Sequence, residues 1–190
     1  VTCAELSNDG LVYVCDRGNN RIQVFQTDGT FVAEAVLAPA TLGSGSVSDI
    51  AFSPDESQRF LYVADGMNER VYIVDRESLV VQTSFGVGGR YPGHFRQLGG
   101  VAVDADGDIY VSDSRQARIY RIRDGVASVW LEDERLAGIN GVLGDGERML
   151  VSTMTTGSLL SVTPEGAITE IASGMINGDG IGIVPGGGYL

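Results

Sequence analysis

Three acid–base pairs recur in this chain with one spacing: Asp16 with Arg21, Asp65 with Arg70, and Asp113 with Arg118. Each Asp closes a short apolar run and each Arg opens the next, so the two face each other across a hairpin loop. A carboxylate placed there can accept from loop amides, and an Arg fork can reach a carboxylate or carbonyl of its own unit or the next. The pairs read as structural fasteners; the alternative is a ring of charges that binds a ligand. A fourth copy has Thr153 and Ser158 at these places and must close its loop differently. His94 is the only histidine and follows Pro92-Gly93 in a linker, which leaves no His-centred triad or zinc site. The glycine-rich Gly86–Gly89 is followed by neither a helix nor a lysine, so it is not a phosphate cradle. Cys3 and Cys15 flank the turn Asn8-Asp9-Gly10 and would face each other in a hairpin centred on Asp9. Directly opposed cysteines bridge only with strained geometry, so two buried free thiols are expected, and the compartment stays open.

The elements that must position these residues form a repeat. Leu61-Tyr62-Val63-Ala64-Asp65 leads to Arg70-Val71-Tyr72-Ile73-Val74, and the same phrase appears at Leu11–Phe25, Ile109–Ile122 and, degenerate, Met149–Val162. The copies recur at about 40–50 residues, the signature of a solenoid, propeller or array. Each copy reads as four short apolar runs divided by turn signals such as Asn8-Asp9-Gly10, Arg17-Gly18-Asn19-Asn20 and Thr27-Asp28-Gly29, where Asn, Asp and Gly accept left-handed backbone. Four hairpin-linked strands per copy make the blade of a β-propeller. The expected fold is all-β, with blades at 2–37, 46–86, 98–131 and 139–173 and a partial fifth at 179–190 that opens at Gly180–Val184. Glu132–Ala137 is expected to be loop, and Trp130 to pack between blades.

Composition narrows the partners. The net charge is −12, from 25 acidic and 13 basic residues. Every basic residue is arginine. Such a surface repels nucleic acid and anionic membrane. It suits a cation, although a solvated acidic surface is the plainer explanation. No apolar run approaches a membrane span and no signal-like segment is legible, so a soluble protein of unassigned compartment is expected. Glycine makes up 27 of 190 residues, about twice the usual share of about 7 %, as many tight turns require.

Two family resemblances follow from particular motifs. Val12-Tyr13-Val14-Cys15-Asp16-Arg17-Gly18-Asn19-Asn20-Arg21-Ile22-Gln23-Val24-Phe25 resembles the NHL repeat, and Gly93–Asp104 resembles the linker and opening strand of a further NHL blade. NHL propellers serve both as binding scaffolds and as enzymes, so this resemblance speaks for the fold and little for function. From about Leu98 the chain is similar to the SMP-30/gluconolactonase/luciferin-regenerating family. The residues carrying that likeness are Val101–Asp113, Ile139-Asn140-Gly141-Val142 and Gly178-Asp179-Gly180-Ile181.

The second resemblance implies a six-bladed propeller that hydrolyses lactones or esters around a divalent ion, often calcium, in its channel. It places Asn140 and Asp179 as ligands just before innermost strands, with Asp179 also the general base. Asn-Gly and Asp-Gly are also ordinary turn pairs. The family often has Asn-Asp where this chain has Gly99-Gly100, and its Glu would fall near Val1 or Thr2. Glu5 lies nearby but inside the first strand.

Four and a half blades fall short of six, and propellers close so that no long sheet edge is exposed. A longer chain, a smaller ring or self-association with strands lent by a second copy would each close the gap. The change of character near Leu98 also fits a chain recombined from two propellers. Two functions are therefore carried: a calcium-dependent lactonase or esterase, and a non-catalytic scaffold for a small ligand or a protein.

Overall fold

Alternating apolar and polar residues between turn-forming clusters build each copy of the repeat into a four-stranded antiparallel sheet. In the computed structural model, residues 1–91, 93–145, 148–176 and 178–182 are described. The first blade holds β1 (Cys3–Leu6), β2 (Leu11–Asp16), β3 (Arg21–Gln26) and β4 (Phe31–Val36). The second holds β5 (Asp49–Phe52), β6 (Phe60–Asp65), β7 (Arg70–Asp75) and β8 (Val80–Phe85). A short parallel pair, β9 (Val87–Gly88) with β10 (His94–Phe95), leads to the third blade. That blade is β11 (Leu98–Val103), β12 (Ile109–Asp113), β13 (Arg118–Arg123) and β14 (Val126–Glu132). The fourth is β15 (Ile139–Asp145), β16 (Arg148–Thr153), β17 (Leu159–Val162) and β18 (Ile168–Ala172). The fold is an all-β propeller. Residues 180–182 are not strand, and residues 183–190 of the expected fifth blade lie outside the described residues.

Apolar side chains of adjacent blades interlock. Tyr13, Ile22, Leu61 and Val63 join blades one and two. Val71, Phe95, Val111 and Tyr120 join two and three, and Ile119, Leu136, Val151 and Leu160 join three and four. Each such burial contributes about 1.5–3 kcal/mol. Trp130 bridges blades three and four: its ring meets Tyr110 edge-on at 4.9 Å, and its Nε1 donates to the Pro164 carbonyl.

Two expectations need correction. Glu132–Ala137 is not simple loop, because Glu134–Leu136 makes one 3-10 turn capped by the Asp133 carboxylate, which accepts from the Arg135 amide. Cys3 and Cys15 are not free thiols. They are register partners across β1 and β2 with Cα atoms 4.9 Å apart, within the span of a disulfide, and the structure joins them.

The loop between second and third strands is built alike in every blade. The residue before Arg21, Arg70, Arg118 and Ser158 is left-handed each time: Asn20 (φ 57°), Glu69 (54°), Ala117 (50°) and Gly157 (64°). The preceding Asp then gathers the loop. Asp65 accepts from the amides of Met67 and Asn68, from Asn68 Nδ2 and from the Tyr72 hydroxyl. Asp113 accepts from the amides of Arg96, Arg115 and Gln116. Asp and Arg meet directly only in the first blade among the described residues, where Arg21 Nε donates to Asp16 at 2.6 Å. Arg70 turns instead to Ser84, and Arg118 to Glu132. In the fourth blade Thr153 Oγ1 accepts from the Ser158 amide and so takes over the acid's task.

Candidate functional site

The innermost strands β1, β5, β11 and β15, with residues 179–182, surround a central cavity of about 390 Å3. A strand pleat alternates its side chains, so each innermost strand turns only part of its residues toward this cavity. Asn140 is the second residue of β15, and Asp179 stands at the same point of the segment after β18. A serine of the preceding blade's second strand fixes each of them. Ser112 Oγ donates to the Asn140 carbonyl at 2.9 Å. Ser152 Oγ donates to the Asp179 carbonyl in the same way. The side chains meet: Asn140 Nδ2 donates to Asp179 Oδ1 at 2.5 Å.

Gly99 and Gly100 lie against this pair. A Cβ on Gly99 would come 2.9 Å from both the Asn140 carbonyl and its Oδ1, and one on Gly100 would come 2.7 Å from that carbonyl and 3.0 Å from Asp49 Oδ2. The two glycines thus leave the room that Asn140 and Asp49 occupy. Side chains there, as the lactonase resemblance implies, would not fit this packing.

Sequence reasoning missed Asp49. It opens β5, the innermost strand of the second blade, and lining up the four strand entries would have found it. Its Oδ2 accepts from the Val101 amide at 2.9 Å. Burial pushes the Asp49 carboxyl up to about 7 against that hydrogen bond, and the charges of Glu5 and Asp179 push the same way. Glu5, on β1, also lines the cavity, and burial raises it to about 7. Thr2 lines it too, its hydroxyl donating to the Val47 carbonyl. No Arg or His lines the cavity among the described residues. His94 packs edge-on against Tyr91 in the linker.

The donor set is all oxygen: two Asp carboxylates, one Glu and the Asn140 side-chain carbonyl. That chemistry fits a hard cation such as calcium. Among the described residues, however, no three of His, Cys, Asp and Glu come together as a metal-holding group. One ion would therefore be held by Asp179 and the Asn140 carbonyl, with water filling its remaining positions. In this orientation the Asn140 amide nitrogen donates to Asp179, and its Oδ1 lies over Gly99. Among the described residues no helix is long and apolar enough to cross a membrane.

Comparison with known proteins agrees with this architecture. The NHL repeat family model matches residues 5–25 and 95–119. No curated protein sequence matches the chain. Among solved structures, virginiamycin B lyase from Staphylococcus aureus superimposes with a TM-score of 0.70 at 15 % identity, covering 94 % of this chain and 58 % of that one. The WD40 repeats of RRP9 give 0.71 at 14 %, covering 96 % and 54 %. The nidogen/laminin complex gives 0.73 at 14 %, covering 92 % and 66 %. The chain spans under two thirds of the length of each of these. At such identities the likeness concerns the fold alone: the chain is a β-propeller, two segments of which match the NHL repeat model.

Proposed function

We propose that the central cavity is a hydrolase site of the SMP-30/gluconolactonase/luciferin-regenerating type, which opens a lactone or cleaves an ester. The supporting observation is the Asn140–Asp179 pair, held at the cavity by two equivalent serine hydroxyls. In this reading Asp179 and Asn140 hold calcium, which when bound polarises the carbonyl of the scissile bond. Asn140 fixes one oxygen of Asp179 and leaves the other to take a proton from the attacking water. The water oxygen bonds to the carbonyl carbon, the carbon–oxygen ester bond breaks, and the proton held by Asp179 passes to the leaving oxygen.

A second reading is favoured by a different observation. Phe31, Val32 and Val36 are exposed along β4, the outermost strand of the first blade, as on an edge that binds a protein or a second copy of this chain. This is the non-catalytic scaffold.

Thermal melting with chelator and with millimolar calcium, alongside aryl-ester and lactone turnover, separates them. A ligand at about 100 times its dissociation constant adds about 2.7 kcal/mol. Calcium should raise the melting point and the turnover, and Asp179→Ala should abolish both effects. Turnover unchanged by chelator and by that substitution would overturn the hydrolase reading.

A further inference from the structure

The cavity has two unlike parts. Glu5 and Asp49 supply carboxylates, and Phe52, Val103 and Leu143 line it further along the strands. Elsewhere in the molecule several carboxylates have basic partners, and the buried Asp65 and Asp113 are instead surrounded by loop donors. Asp108 pairs with Arg123, Asp9 with Arg76 and Asp16 with Arg21. The cavity acids have none, and Glu5 accepts no hydrogen bond from any described residue. Removing a carboxylate from water without a cation is costly. Here the cost falls on two acids that face an open, partly apolar space, and a positively charged guest would relieve it.

We infer that the ligand of this cavity carries a positively charged amino group, seated against Asp49 and Glu5, with its hydrocarbon part along Phe52, Val103 and Leu143. This rests on the cavity being the functional site, and it narrows the proposed substrate to an amine-bearing ester or lactone. Glu5 and Asp49 are specificity residues here, distinct from the Asn140–Asp179 pair that would act on the ester.

Isothermal titration calorimetry with three probes of one chain length, hexylammonium, hexanol and hexanoate, tests this on the full chain at pH 8 with chelator present. Hexylammonium should bind, hexanol should bind at least about tenfold more weakly, and hexanoate should not bind, because each lost charged hydrogen bond costs about tenfold to hundredfold in affinity. Asp49→Asn with Glu5→Gln should remove the preference for ammonium over alcohol. Equal binding of ammonium and alcohol, or no binding of the ammonium, overturns the inference without needing either variant to fold. The two readings fail separately. Ammonium binding without ester turnover would sink the hydrolase and leave this inference standing. Faster turnover of neutral than of amine-bearing esters would do the reverse.

Discussion

Replacing Asp49 by Asn should make the protein more stable, and by an amount that grows with pH. The folded-state pKa of Asp49 is raised from 3.8 to about 7 by burial. Between those values the native chain keeps a proton that the unfolded chain has lost, so each rise in pH favours unfolding. The penalty is small below the unfolded value, grows through the window and is complete above about 7. At 1.36 kcal/mol per pKa unit the ceiling is about 4 kcal/mol. Water in the open cavity screens the charge, which brings the expected value to on the order of 1–2 kcal/mol. Asparagine keeps an oxygen for the Val101 amide and removes the charge. In a chain of this size, 1 kcal/mol moves the melting point by about 2–4 °C. Urea unfolding followed by Trp130 fluorescence at pH 5, 6, 7 and 8, with chelator present, gives the comparison directly. The variant should exceed the wild type by about a third of the full difference at pH 5 and by all of it above about pH 7. A difference that is the same at every pH, or a variant less stable at pH 8, would refute the reasoning.

Reducing the Cys3–Cys15 bond, which closes a separation of 12 residues, should cost about 3 kcal/mol by loop entropy, read as a lower denaturation midpoint in dithiothreitol that Cys3→Ala/Cys15→Ala reproduces without it. Gly100→Ala should destabilise by about 1–3 kcal/mol, because its methyl would meet the Asn140 carbonyl at 2.7 Å. An unchanged melt for that variant would show that β11 and β15 can separate freely.

The blades were legible because they are local. Each hairpin joins residues a few positions apart, so the alternation in Leu61–Asp65 and the turn at Asn8-Asp9-Gly10 carry their own instructions. Trp130 between blades was legible for a related reason: a lone large aromatic in a small-residue repeat has few other places to go. Less was legible where two distant parts must fit. The Asp–Arg spacing was visible, but not that Arg70 and Arg118 would turn to Ser84 and Glu132 on the neighbouring strand of their own sheets. Cys3 and Cys15 were correctly opposed, yet the bond depends on a Cα separation of 4.9 Å that no spacing rule supplies.

The sequence by itself determined the repeat, the strand content and the acidic surface, since periodicity, turn residues and charge need no knowledge of the third dimension. It also marked Asn140 and Asp179 through a resemblance. Only the tertiary structure brought Asp49, Glu5, Asn140 and Asp179 to one cavity and showed that Gly99 and Gly100 make room for two of them. The physical reason is that each comes from a different blade. Their meeting is set by how the blades pack around an axis, through contacts such as Ser112 to Asn140 and Ser152 to Asp179, and not by any property of the segments that carry them.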